Sequence, residues 1–188
     1  KPVYITKIVD RDGVILEKQT EVVPSRVLGE ETAFLMTNIL EDVVVRGTGW
    51  RARAINRPSA GKTGSTDNYA DAWYMGYIPQ LITGVYVGFD KNRHTLGDEE
   101  TGSKAALPIW VDFMKNATAT MPIYPFGQPD GINMVRIVTE SGLLDCNAGG
   151  KTRFEYFKSG TEPTQCHRNS PGTSIPSNTP TKEDGTEQ

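Results

Sequence analysis

The 188 residues carry 20 basic and 23 acidic side chains, a net charge of −3, with 37% hydrophobic and 23% charged residues. This is the composition of a folded globular chain, and the balanced, unclustered charge excludes a nucleic-acid-binding or polybasic membrane-surface protein. No run of about eighteen apolar residues occurs, and the N-terminus lacks the basic-then-apolar pattern of a signal peptide.

In chain order, Val3 to Val9 and Val14 to Glu17 flank Asp10-Arg11-Asp12-Gly13, which predicts a β-hairpin through its Asp-Gly turn. From Glu30 to Arg46, Leu35, Ile39 and Val43, and Leu40 and Val44, recur at four-residue spacing. That spacing predicts a helix opened by acidic Glu30 and Glu31 and ended by Gly47, with its apolar stripe in the core. Arg51 to Thr66 should contain a strand, with Pro58 confined to its entrance. Period-two alternation through Trp73, Met75 and Tyr77, then Val85, Val87 and Phe89, predicts two antiparallel strands joined at Pro79-Gln80. Ala106, Ile109, Trp110, Phe113 and Met114 return to helical spacing between Ser103 and Ala117, with Pro108 as a kink or first-turn residue. Pro122, Pro125, Gly127, Pro129 and Gly131 punctuate a surface linker. Met134 to Val138 reads as a short edge strand, and the Ser/Pro/Thr-rich residues from Asn169 onward read as disordered.

The chemistry concentrates in Lys62-Thr63-Gly64-Ser65. Gly64 removes the side chain that would stop a peptide from lying along the strand. Lys62 supplies a positive charge, the Thr63 and Ser65 hydroxyls suit a terminal carboxylate, and the Ser65 N–H suits a developing oxyanion. Three specified residues recur by chance roughly a few per cent of the time at this length, so the motif needs its surroundings. A phosphate-binding P-loop is excluded, because the glycine it requires is replaced by Asn56 before Gly61-Lys62 and by Asp145 before Gly150-Lys151. Ser59-Ala60-Gly61-Lys62 spells Ser-x-x-Lys but overlaps the tetrad, and one lysine cannot serve both walls of a cleft.

Those surroundings are Val43 to Gly49 (Val-Val-Val-Arg-Gly-Thr-Gly), Ala60 to Ser65, Asp71 to Pro79 (Asp-Ala-Trp-Tyr-Met-Gly-Tyr-Ile-Pro), Val85 to Asp90, and Glu100 to Trp110. In this order the chain resembles the transpeptidase domain of class A penicillin-binding proteins, the bifunctional peptidoglycan synthases. The likeness is close over 1–122 and looser through Glu155-Tyr156-Phe157 and Gly160 to Pro163, as far as Cys166. Ser65 stands where many members carry threonine, and Ser103 where a second glycine is common. The family's Ser-x-x-Lys nucleophile and Ser-x-Asn motifs do not precede Lys62.

The resemblance implies an α+β fold, an antiparallel β-sheet flanked by helices, incomplete in this chain. Residues 1–122 would be the C-terminal part of the transpeptidase domain, 123–168 an extension and 169–188 a tail. It implies a D,D-transpeptidase that cross-links stem peptides by serine acyl transfer, with Lys62 and the Ser65 N–H on the catalytic side and Thr63, Gly64 and Ser65 holding substrate. The partners implied are peptidoglycan stem peptides, the lipid-linked precursor, β-lactams and the N-terminal remainder of the enzyme, with no cofactor. The location implied is the extracytoplasmic face of the cytoplasmic membrane, with the anchor and a glycosyltransferase domain encoded upstream.

In that compartment Cys146 and Cys166, the only two cysteines, are a candidate disulfide. Metal at Cys166-His167 lacks further ligands at zinc-like spacing. Asp71 is expected to order the turn into its strand, Trp73 to fill the core, and His94 and Arg93 to lie on the surface. Two rivals share the tetrad: a serine β-lactamase or D,D-carboxypeptidase relative, and a non-catalytic peptide-binding or structural module. Upstream Ser-x-x-Lys and Ser-x-Asn would argue against the second.

Overall fold

The computed structural model describes residues 4–19, 25–90, 94–146 and 150–168. Arg93 and the 169–188 tail lie outside them. The first element is a hairpin of β1 (Lys7–Val9) and β2 (Ile15–Lys18). The Asp10 carboxylate accepts the Asp12 and Val14 N–H groups at 2.9 and 2.8 Å, and Gly13 takes φ +82°. This is the side-chain-to-backbone turn that Asp-Gly encodes. Ile8, Val9, Ile15 and Leu16 are all exposed, so neither face of the hairpin is covered by the described residues.

Helix α1 spans Glu30–Val45, with Glu30 and Glu31 in its first turn, where carboxylates favour the helix dipole. Its end uses Gly47 for proximity, because a Cβ there would lie 3.0 Å from both Cα and the carbonyl oxygen of Val43. The buried stripe differs from the one the apolar spacing predicts. Val44 is in the core, but Ile39 is 58% exposed, and Phe34 is buried instead. The inward face runs through Phe34, Thr37, Glu41 and Val44: Phe34 meets Tyr156 edge-on at 5.1 Å and Thr37 hydrogen-bonds the Tyr77 hydroxyl at 2.9 Å. Two polar members hide this face from a hydrophobic pattern. Glu41 accordingly has its pKa raised by burial and, secondarily, by Asp42.

After a 3-10 turn at Trp50–Ile55, β3 (Ala60–Ser65), β4 (Asp71–Ile78) and β5 (Leu81–Gly88) form a three-stranded antiparallel sheet in that order. A π-helical turn at Gly102–Ala106 leads into α2 (Leu107–Ala117), with Pro108 in its first turn. Its predecessors are not yet in an α-helical ladder, so the missing proline N–H costs little.

The core lies between one face of β4 and these helices: Val44, Ala52, Ile55, Ala72, Tyr74, Ile78, Ala106, Leu107, Trp110 and Met114. Tyr74 and Trp110 meet at 5.0 Å edge-to-face. Gly76 makes the room, since a Cβ on it would sit 2.7 Å from Trp110 Cζ2. Arg57 ties the approach to β3 to the end of α2, donating to the carbonyls of Thr118 at 2.9 Å and Met121 at 3.3 Å, a favourable site for a cation.

Beyond α2 the predicted short strand is one half of a hairpin: β6 (Ile132–Val138) pairs antiparallel with β7 (Thr152–Lys158). Strand β7 is missing from the predicted elements, although Arg153 to Tyr156 alternate charged with aromatic side chains. Cys146 and Cys166 are joined, with Cα atoms 5.5 Å apart. Arg136 Nε donates to the almost fully enclosed Asp145 carboxylate at 2.6 Å. Besides Phe34 against Tyr156, Phe126 packs on Tyr77 at 5.6 Å, so this region leans on α1 and β4.

Candidate active site

Strand β3 is at the edge of its sheet, so its backbone polar groups divide between β4 and the outside. Thr66 N–H donates to the Asp71 carbonyl at 3.1 Å, fixing the phase of the ladder. Pairs two residues apart along an antiparallel ladder repeat that arrangement, so Gly64, opposite Trp73, and Lys62, opposite Met75, direct N–H and C=O to β4. The intervening Thr63 and Ser65 direct theirs to the free edge. Side chains divide differently. Thr63 and Ser65 lie opposite Tyr74 and Ala72, on the face that carries the core, while Lys62 and Gly64 lie on the other.

Both hydroxyls have partners behind them. Thr63 Oγ1 is 2.8 Å from Thr48 Oγ1, and Ser65 Oγ accepts the Gly102 N–H at 3.0 Å. The Lys62 ammonium curls back to the Thr63 carbonyl at 2.8 Å. It therefore reaches the same edge as the Thr63 and Ser65 backbone, although its side chain leaves from the opposite face. Gly102 must be glycine here, as a Cβ would collide with the Trp73 carbonyl oxygen and lie 2.6 Å from that of Gly64. A Cβ on Gly64 would lie 3.3 Å from Trp73 Cβ, a tight contact, so its absence keeps that face of the strand low.

Thr48, Gly102, Ser103 and Arg51 are the residues that the tetrad alone does not reveal. Their signal is the glycine beside each hydroxyl, Gly47-Thr48-Gly49 and Gly102-Ser103, where backbones meet closely. Arg51 Nη1 donates to the Ser103 carbonyl and Oγ at 3.2 and 3.3 Å, and Ser103 Oγ donates to the Thr48 carbonyl at 3.0 Å.

Asp71 does order the turn into its strand: its N–H donates to Thr66 Oγ1 at 2.9 Å, and its buried carboxylate accepts the Tyr86 hydroxyl at 2.7 Å, which pushes the Tyr86 pKa up. Trp73 does not fill the core. It is 44% exposed and stacks on Tyr86 at 4.7 Å, because the core face of β4 is the one bearing Ala72, Tyr74, Gly76 and Ile78. Alternation finds two faces but not which of them turns inward, and here the face with two small residues admits α2. His94 is exposed, edge-on to Phe89 at 5.5 Å. Ser59 is buried, closed to a substrate, one residue before β3.

Residues 1–115 match the penicillin-binding protein transpeptidase domain, and the chain belongs to that family. Its relatives are class A enzymes: penicillin-binding protein 1A of Vibrio cholerae serotype O1 is 38% identical over 165 residues, covering 74% of this chain and 20% of the relative. Penicillin-binding protein 1A of Aquifex aeolicus is 39% identical, covering 87% and 22%, and that of Escherichia coli K12 is 40% identical, covering 75% and 18%. The crystal structure of penicillin-binding protein 1A from Haemophilus influenzae superposes with a TM-score of 0.76 at 33% identity, covering 89% of this chain and 30% of that one. The chain thus spans about a fifth of the length of these curated relatives, and its α+β architecture is part of a larger domain. Among the described residues no helix is long and apolar enough to cross a membrane.

Proposed function

We propose that this chain supplies the substrate strand of a serine D,D-transpeptidase that cross-links peptidoglycan stem peptides and is acylated by β-lactams. The observation that carries the reading is the edge of β3: the outward backbone groups of Thr63 and Ser65, the Lys62 ammonium curled back to that edge, and two hydroxyls on one face of the strand beside it. An extended peptide can hydrogen-bond along such an edge. Its terminal carboxylate meets the Thr63 and Ser65 hydroxyls, and Gly64 leaves its path clear.

In the proposed reaction a serine outside this chain attacks the D-Ala-D-Ala carbonyl through its Oγ, and the terminal D-Ala leaves with a proton on its amine. The acyl group then passes to an acceptor amine, releasing the serine hydroxyl. The Ser65 N–H faces the charge that develops on the carbonyl oxygen, a contribution worth roughly 3 kcal/mol at comparable sites, and Lys62 adds positive potential beside the nucleophile. Residues 1–122 belong to this module, and 123–168 form an extension closed by Cys146 and Cys166. The setting that suits both is the outer face of the cytoplasmic membrane.

The test is covalent labelling of the parent enzyme with a fluorescent penicillin, followed by denaturing electrophoresis and intact-mass analysis. Label is expected on a Ser-x-x-Lys serine outside this chain and not on Ser59. Thr63→Val should slow acylation about tenfold or more, the scale of one lost hydrogen bond to a charged group. An unchanged rate would remove the carboxylate role from Thr63, and absence of label on a folded enzyme would overturn the transpeptidase reading.

A further inference from the structure

The geometry points to Thr48 as a positioning residue that makes the β3 edge selective for a free carboxylate, with Ser103 and Arg51 holding it in place. The inference rests on the carboxylate role proposed above. A hydroxyl has one proton to donate and two lone pairs to accept with, and a carboxylate only accepts, so each hydroxyl that faces it must keep its proton free.

Ser65 meets that condition, because Gly102 N–H donates to its oxygen and uses no proton of the serine. For Thr63 the condition depends on Thr48, since only one proton lies between their oxygens at 2.8 Å. When an anion occupies the edge, the arrangement with Thr48 as donor is selected, and the Thr63 proton turns outward. Two donors from behind, a backbone N–H and a threonine O–H, thereby convert adjacent hydroxyls into a pair of outward donors. A valine at 48 would leave the Thr63 proton unclaimed but the hydroxyl unheld, so that it would no longer be aimed at the edge.

The position of Thr48 is itself held. Its carbonyl accepts Ser103 Oγ–H, and Ser103 is fixed through both its oxygens by Arg51 Nη1, whose guanidinium lies 4.9 Å from the Trp50 ring, a cation–π distance. The chain of contacts runs from one 3-10 turn across the π-helical turn to β3, joining segments that are far apart in sequence.

The experiment compares Thr48→Val, Thr48→Ser and Thr63→Val in the parent enzyme, measuring second-order acylation rates for a β-lactam with a free carboxylate and for its methyl ester. Thr48→Val should slow the free acid about tenfold and leave the ester within about twofold, and Thr48→Ser should restore the free acid. Equal loss on both ligands, or no rescue by serine, would show a merely structural residue and overturn the inference. If Thr63→Val shifts the acid-to-ester ratio and Thr48→Val does not, Thr48 is excluded while the site reading stands. If Thr63→Val itself leaves the ratio unchanged, the carboxylate role falls. Should Thr48→Val not fold, Ser103→Ala is read the same way, and a ratio unmoved by it counts against the inference.

Discussion

Gly102 shows how one absent methyl group sets the site. Its backbone lies over the Gly64–Trp73 pair, so close that an added Cβ would meet two carbonyl oxygens, and the same residue's N–H holds Ser65 Oγ. Backbone atoms cannot swing aside as a side chain can, so Gly102→Ala must displace either β3 or the π-helical turn. Overpacking of this kind costs about 1–3 kcal/mol. The expected outcome in the parent enzyme is a lowered melting temperature together with slower penicillin acylation. Normal acylation in a destabilised variant would separate the two roles.

Tyr74 offers a second residue-scale test. Its hydroxyl is buried without a partner among the described residues, against Gly61 and Gly49, and burial pushes its pKa up to about 12. A pKa raised on folding means that the contribution to stability is whole below the ordinary tyrosine value near 10 and is lost as pH rises from there through about 12. Tyr74→Phe removes an unsatisfied buried group, so stability at pH 7 should be unchanged or higher by about 1 kcal/mol. The decline above pH 10 should become shallower. An ultraviolet difference titration of the two proteins should show one tyrosinate appearing late, only in the wild type, and a loss of several kcal/mol at pH 7 would reveal a hydrogen bond at that hydroxyl.

At the scale of elements, legibility followed how much of an element's meaning is local. The β1–β2 turn, the β4–β5 pairing and the existence of α1 and α2 come from signals within a few residues: Asp-Gly, Pro79-Gln80, a four-residue apolar spacing. The inward faces do not. In α1 the inward face includes the half-buried Thr37 and Glu41, and in β4 it passes through Gly76; Thr37 meets Tyr77 and Gly76 meets Trp110, partners from elsewhere in the chain. Strand β7 went unread although Arg153 to Tyr156 alternate charged with aromatic side chains, because that pattern is only four residues long and its partners, β6 and Phe34, lie elsewhere in the chain.

The β6–β7 element also carries the next prediction. Cys146 and Cys166 are 20 residues apart, and closing a loop of that size is worth about 3 kcal/mol in the chain-entropy model. Reduction, or Cys146→Ser with Cys166→Ser, should make 132–168 cut faster in limited proteolysis than in the disulfide-bonded protein, with penicillin acylation close to wild type. Loss of acylation in step with cleavage would mean that the extension supports the site.

For the whole molecule, the strand proposed as the site was legible as a tetrad and the residues packed behind it were not. Lys62 to Ser65 could be read from four letters, and the resemblance placed the surrounding blocks in the right order. Which donors stand behind Thr63 and Ser65 could not be read, since Thr48 and Gly102 come from segments distant in sequence that pack together on the core face of β3. The same holds for the apolar surface left outside: Trp73, Met75, Ile82 and Tyr86 share one exposed sheet face, and the β1–β2 hairpin is exposed on both of its faces. Exposed apolar area of this extent belongs to a segment of a larger domain, in keeping with the fraction of each relative that the chain spans.

The β3–β4 turn, finally, acts as a counter. Thr66 to Ala70 hold Asn68 and Tyr69 at positive φ and set Thr66 against Asp71, which decides the parity of every residue before it. One residue more or fewer in that turn would exchange odd and even positions along β3. Lys62 and Gly64 would then present their backbones to the outside, and Thr63 and Ser65 would spend theirs on β4. The four letters would be unchanged and the edge would read as a different word, so the meaning of the tetrad is held by the length of a loop that contains none of it.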